Sequence, residues 1–327
     1  MRVLIVKLSS LGDVVHTMPV VNDIRTAYPD ALIDWVVEPG FAPLVRRVSG
    51  IHSSIECALR RWRKGWWTSP VRHEWREFRD AMRGERYDAI IDFQGLTKSA
   101  LVARLARGTR YGLANQTEGS AYERPARWLV HHAIPVEPRI HALDRARLLA
   151  AEVFGYAVQG PPRFGLRSQM LEATERTMVL VHGSSRDDKL WPEENWIEIG
   201  RRVMASGWHI ALPHAGPEEH ARAQRLAAAL GPACEVWPEM NIDAVTDRMG
   251  ATHGVIGVDS GLSHIAVALD LPHVQIYNFP TAWRTGPLAE HGHSHQVSIE
   301  GRPAPDVDTV WNAWLRVRAA FRLAGQG

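Results

Sequence analysis

The chain has 327 residues, 45% of them apolar, with 38 basic and 36 acidic side chains and a formal net charge of +2. That length exceeds what one core organises, so two domains are expected, and so mild a charge argues against a nucleic-acid partner, leaving any anionic partner to a local cluster. The two cysteines, Cys57 and Cys234, lie far apart and argue against a disulfide framework or a thiolate metal site. The opening lacks a signal-peptide pattern and no long uninterrupted apolar run follows, which predicts a cytosolic protein.

Residues 3–6 form an apolar run that reads as a strand buried on both faces. It breaks into a polar loop and restarts as a helix near Asp13. Ligands of open parallel sheets bind beyond the carboxyl ends of the strands, so Ser9, Ser10 and Asp13 stand where chemistry is expected. Taken alone, Asp13 reads more simply as a helix N-cap and Gly12 as a turn. Helical periodicity over 14–27 is interrupted by Pro19, and a strand at 33–37, a short helix at 41–48 and an extended stretch at 51–59 follow. Residues 60–67 then place four cations, Arg60, Arg61, Arg63 and Lys64, among three indoles, Trp62, Trp66 and Trp67. The cations suit phosphate or carboxylate and the indoles a membrane interface, so an anionic amphiphile satisfies both. A cationic loop with buried tryptophans is the plainer alternative; single-stranded nucleic acid fits the near-neutral chain least. A charged helix at 70–83, a strand at 87–92 ending in the loop from Gln94 to Lys98, a strand at 109–113 and a helix at 141–154 complete the first series.

Residues 155–170, with Gly160, Pro161, Pro162 and Gly165, have the composition of a linker. A second series follows: strands at 178–182, 209–212, 254–258 and 274–277, and helices at 193–204, from His214 to Leu230, at 243–249 and at 307–323. Such alternation predicts two doubly wound parallel-sheet domains facing a central cleft. No Gly-x-Gly-x-x-Gly follows the first strand, which argues against NAD or FAD.

In the second series Asp259-Ser260-Gly261 sits where a strand hands over to a helix, whose free N–H groups suit a diphosphate. Ser184, Ser185 and Lys189 on a neighbouring loop add hydroxyls and a compact cation, and Asp259 can cap the helix or accept a sugar hydroxyl. Glu219, or Glu218 beside it, can accept the hydroxyls of a ribose. Each residue alone is equally an ordinary loop or first-turn residue; together they outline a nucleotide site. His291, His293 and His295 read as surface histidines, and no metal is expected.

Four motifs carry a resemblance: Lys7 to His16, Asp92 to Ser99, Arg186 to Pro192 and Val258 to His264. Together they resemble the lipopolysaccharide heptosyltransferases of glycosyltransferase family 9 over almost the whole chain. Residues 60–64 and the Gln94 run point to the enzyme that adds the first heptose; the one adding the second, or a sugar-nucleotide binding module without turnover, is the alternative. The resemblance implies an α/β GT-B fold of two Rossmann-like domains, an acceptor domain over 1–160 and a donor domain over 176–327, joined by a linker at 161–175. It also makes the last helix a candidate to cross back onto the first domain. It implies inverting, metal-independent and cofactor-free transfer of L-glycero-D-manno-heptose from ADP-heptose to a Kdo sugar of Kdo2-lipid A. The protein would be cytoplasmic, peripherally bound to the inner membrane, with no nucleic-acid partner. Asp13 would be the general base. Ser9, Ser10, Arg60, Arg61, Arg63, Lys64, His141 and Arg145 would serve the acceptor. Ser184, Ser185, Lys189, Asp259, Ser260, Gly261 and His264 would hold diphosphate and heptose, with Glu219 on the ribose and Met240 beside the adenine. Ser184 and Ser185 stand where the family commonly has threonines, and the loop from Phe279 to Arg284 departs from its Gly-Pro-Thr form.

Overall fold

Arg2–Val6 forms strand β1, and its four apolar residues carry no exposed surface, which only a strand covered on both faces achieves. In the computed structural model, which describes residues 1–169, 171, 175–292 and 294–324, β1 lies inside a six-stranded sheet. Its partners are β2 (Leu32–Val37), β3 (Ile51–Glu56), β4 (Arg86–Asp92), β5 (Arg107–Leu113) and β6 (His132–Ile134). The order is β3-β2-β1-β4-β5-β6 with every pairing parallel. A second sheet contains β7 (Thr177–Val181), β8 (His209–Leu212), β9 (Cys234–Val236), β10 (Gly254–Val258), β11 (His273–Tyr277) and β12 (Gln296–Glu300). Its order, β12-β11-β10-β7-β8-β9, is also all parallel. Counted from their own first strands, the two sheets have the same doubly wound order. Each reverses direction once, between β1 and β4 and between β7 and β10, and there the loops diverge to leave a crevice. The chain divides into two units, Met1–Arg167 and Ser168–Gly327, a boundary inside the 161–175 span.

In the first unit one side of the sheet is covered by helices Leu59–Gly65 and Ser69–Gly84, whose Trp62, Phe78 and Met82 join Leu4, Val6 and Ile90 in a buried cluster. Leu11–Thr17, Pro19–Ala27 and Ala142–Phe154 pack against one another as a second helical group. Pro19 separates the first two, since it has no N–H to continue the Leu11–Thr17 ladder. Arg147 binds Asp23 through two nitrogens, at 2.7 and 2.9 Å, both side chains buried. This fork fixes the Ala142–Phe154 helix to Pro19–Ala27 and so sets where its first turn, with His141 and Arg145, begins.

In the second unit, helix Val307–Ala324 places Val310, Ala313, Trp314 and Val317 in the core beside Met178 and Val274. Gly254 is required there, since a Cβ would lie 2.2 Å from the Trp314 ring. The apolar face of that helix is therefore spent on the core of its own unit.

Several short elements were not anticipated: helices Leu59–Gly65 and Thr97–Ala103 and strands β6, β9 and β12. The expectation of surface histidines is corrected at two positions. His291 and His295 are buried, and His295 Nε2 lies 3.0 Å from Asp270 Oδ1; His293 lies outside the described residues. Among the described residues no helix is long and apolar enough to cross a membrane.

Candidate active site

At the reversal point of the first sheet, the loop leaving β1 meets the loop leaving β4. Gln94 Oε1 accepts the N–H groups of Leu8 at 2.8 Å and Ser9 at 3.3 Å, so a side chain 86 residues away fixes the course of the first loop. Asp92, at the end of β4, in turn accepts from the N–H groups of Gln94 and Gly95 and from the Ser99 hydroxyl, at 2.9, 3.3 and 2.9 Å. Burial pushes its carboxyl up to about 6 against the pull of those donors. The indole N–H of buried Trp35 satisfies the Lys7 carbonyl at 3.1 Å.

Asp13 is not the N-cap of its helix. Ser10 is, and Asp13 occupies the third helical position, from which its Oδ2 accepts the Ser10 N–H at 3.2 Å and hydroxyl at 3.0 Å. The carboxylate thus plays the part that Glu or Gln plays in a capping box. Its other oxygen, Oδ1, lies 3.6 Å from Lys7 Nζ, which also donates to the Phe93 carbonyl at 3.3 Å. Burial opposes ionisation of Asp13, but Lys7, His16 and the two Ser10 donors outweigh it and hold the carboxyl well below its ordinary value. Lys7 itself is buried, which lowers its affinity for a proton, while Asp13 works the other way. A small cavity lined by Lys7, Asp13, His16, Thr17, Phe93 and Arg145 opens at this point. Arg145 is buried with Nη1 on Thr117 at 2.7 Å. His141 caps the Ala142–Phe154 helix by accepting the Leu143 N–H at 3.2 Å, and its ring meets the edge of His16 at 5.8 Å. Asp13, Arg145 and, through His16, His141 are thereby gathered on one side of the β1 loop. Of the two serines only Ser10 is exposed; Ser9 is buried.

The cationic run is a helix rather than a loop. Its Trp62 is buried against Trp75 and Phe78, and the indole N–H reaches Glu74 at 2.9 Å. Arg60 pairs with Glu38 at 3.2 Å and Arg61 with Glu74, while Arg63 and Lys64 are exposed.

The reversal point of the second sheet lies between the loops that follow β7 and β10. Asp259 Oδ2 takes Lys189 Nζ at 2.6 Å, and Oδ1 lies 3.3 Å from His264 Nε2. Burial again opposes ionisation, and His264 and Lys189 overcome it, keeping Asp259 well below the usual carboxylate range. Ser184 donates to the Asp259 carbonyl at 3.2 Å, tying the two loops together. Ser260 stands at the N-cap position of helix Gly261–Ala268 but makes no side-chain capping bond, and its Oγ is buried without a hydrogen-bond partner among the described residues. Glu219 folds back over this region: a Cβ on Gly183 would lie 2.4 Å from its carboxyl carbon, and its Oε2 accepts the Ala215 N–H at 2.8 Å. Glu218 points outward, exposed, so of the two glutamates Glu219 is the one beside the loop. Ser185 is exposed, and Met240 is half-buried in the loop beyond the edge strand β9, just ahead of Asn241, which caps helix Ile242–Gly250.

Residues the sequence did not single out as site groups are Lys7, His16, Asp92 and Gln94. Lys7 follows directly on the apolar run of β1, and a lysine at a strand end ordinarily reads as solvated.

Two doubly wound units, with a carboxylate at one reversal point and a cation clamped beside a helix N-terminus at the other, have the architecture of the GT-B class of glycosyltransferases, which the comparisons with known proteins bear out. The model of glycosyltransferase family 9 (heptosyltransferase) matches residues 75–309. Lipopolysaccharide heptosyltransferase 1 of Escherichia coli K12 is 41% identical over 284 residues, covering 85% of this chain and 88% of that protein. The solved structure of E. coli heptosyltransferase WaaC with ADP superposes with a TM-score of 0.81 at 34% identity, covering 100% of this chain and 99% of that one. The same enzyme with ADP-2-deoxy-2-fluoro heptose gives 0.79 at the same identity and coverage. The chain belongs to glycosyltransferase family 9, the heptosyltransferases.

Proposed function

We propose that this enzyme transfers L-glycero-D-manno-heptose from ADP-heptose to a Kdo sugar of Kdo2-lipid A, with inversion at the anomeric carbon, at the cytoplasmic face of the inner membrane. The observation that carries the reading is Asp13, a carboxylate at the switch point of the first sheet kept ionised by buried Lys7. An ionised carboxylate can take a proton only from a hydroxyl becoming acidic, and an acceptor oxygen does so as its bond to the anomeric carbon forms. In this step the acceptor oxygen bonds to the anomeric carbon, its proton passes to an Asp13 oxygen, and the bond to the phosphate oxygen breaks, with the electron pair leaving on ADP. No cofactor enters the reading. Lys189 and the N–H groups at Gly261 are suited to receive the charge that develops on the diphosphate. Asp259 holds Lys189 and His264 in place for it. Glu219 would take the ribose hydroxyls and Met240 the adenine; Ser10, Arg60, Arg61, Arg63, Lys64, His141 and Arg145 would receive the anionic acceptor. The relatives that bear this activity in their names and the ADP and ADP-heptose analogue bound to WaaC support the choice of substrates.

Asp13→Asn tests it. The substitution keeps an oxygen for the Ser10 donors while removing the base, so kcat should fall by about 10²–10⁴ with ADP-heptose affinity by calorimetry unchanged. Full turnover in this variant would remove Asp13 from the mechanism, and loss of donor affinity would move its role to the donor.

A further inference from the structure

The transfer reaction leaves the loop from Phe279 to Arg284, which follows β11, without a part. The residue just ahead of it, Asn278, is only 8% exposed and reaches far along the chain. Its side-chain nitrogen donates to the carbonyls of Asp188 at 3.0 Å and Leu190 at 2.9 Å, the two neighbours of Lys189. Only the nitrogen end of a carboxamide can face two carbonyl oxygens, so these contacts fix which way the side chain points. Its Oδ1 is buried without a hydrogen-bond partner among the described residues. Such an acceptor carries a desolvation cost, and the residue bears it while holding the turn.

The turn gains from that hold. Arg186, Asp187 and Asp188 are exposed. The N–H groups of Lys189 and Leu190 donate to the Arg186 and Asp187 carbonyls at 3.1 and 3.0 Å, bonds that shape the turn without attaching it to the sheet. Asp259, the partner of Lys189, takes its own placement from the same strand end, since its N–H donates to the Ile276 carbonyl at 3.2 Å. Residues 276–278 therefore set the main chain on both sides of the Lys189–Asp259 pair, through a carbonyl on one side and a side-chain amide on the other. That strand end is itself anchored. The Tyr277 carbonyl accepts the Gly301 N–H at 3.0 Å, and the Ala282 N–H donates to Glu300 at 2.7 Å.

We infer that Asn278 is a positioning residue for Lys189, fixing the main chain from which the ammonium meets the diphosphate of the sugar nucleotide. The inference deepens the reading of the second unit as the donor site and rests on it. A lysine stem is long and flexible, so its aim depends on the backbone that carries it. With that backbone fixed in advance, ordering entropy is lost on folding rather than on binding, and the cation is in place before charge develops on the leaving group.

Calorimetric titration of the full chain with ADP tests it, in a cycle of single and double variants. Asn278→Ala removes both donors, and Asn278→Leu removes them while keeping the volume and adding no charge. Each should lower ADP affinity by roughly tenfold, and neither should lower it further once Lys189→Ala is in place. In turnover, the KM for ADP-heptose should rise while that for Kdo2-lipid A stays unchanged. Unaltered ADP affinity in both variants would overturn the inference. So would an equal loss with and without Lys189, which marks a general loosening of the loop, or a loss with alanine that leucine does not share, which marks packing. An unsubstituted chain that binds no ADP would instead overturn the donor-site reading itself, and the inference with it.

Discussion

Lys7 and Asp13 are six positions apart, yet the turn after β1 brings Nζ within 3.6 Å of the carboxylate. The arrangement costs the lysine its solvation and returns part of that cost through the Asp13 charge and the Phe93 carbonyl. Its consequence is a carboxylate that stays ionised far below neutral pH, so Asp13 by itself imposes no acid limb on kcat between pH 5 and 9. Lys7→Met, which retains much of the side-chain volume, removes the cation. The carboxyl should then rise towards its ordinary value, because only His16 and the Ser10 donors remain to offset burial, and an acid limb should enter the measured pH profile of kcat. A profile identical to the unaltered enzyme would show that Lys7 does not set the charge of Asp13. At the second switch point, Lys189 and His264 hold Asp259 ionised by the same logic.

At the scale of elements, the first site is a pair of loops held by β1 and β4. Asp92 anchors the second loop and Gln94 connects it to the first. Burial raises Asp92 to about 6, whereas in the unfolded chain it titrates near its ordinary ~4. Between about pH 4 and 6 the folded chain thus holds a proton that the unfolded chain has released, so this group makes stability fall as pH rises through that window. Asp92→Asn keeps an oxygen for the Gln94 and Gly95 N–H groups and removes the titration. Melting temperature measured from pH 4 to 7 should lose that downward contribution, and a slope equal to that of the unaltered chain would refute the assignment. Elements differ in how openly the sequence declares them. β1 and β10, buried on both faces, are continuous apolar runs; β6 and β9 are three-residue edge strands with too little pattern to register. β12, Gln296–Glu300, stands behind a Gly/His stretch that reads as loop. The helix Leu59–Gly65 was masked by its own composition, since only Trp62 is buried.

At the scale of the whole molecule, the α/β alternation and the linker were sufficient to read two doubly wound units, and the motif loops fell at the switch point of each. Less could be read of how the loops are secured. Both Ser10 and Asp13 are good capping residues, and only the backbone decides that Ser10 caps while Asp13 reaches back. The Gln94 contact to Leu8 spans 86 residues, which no local pattern records. That the Glu219 carboxyl lies against the loop after β7 depends on Gly183, where a Cβ would meet it. Family membership adds the class of reaction, and with Asp13 as the proposed base that reaction is a single displacement.

That displacement is open to one direct measurement. The purified chain is incubated with ADP-L-glycero-β-D-manno-heptose and Kdo2-lipid A, and the product is analysed by mass and by the anomeric configuration of the new bond. Addition of one heptose with an α-linkage, opposite to that of the donor, is expected. A product with the donor's configuration, or turnover only when the acceptor already carries a heptose, would contradict it.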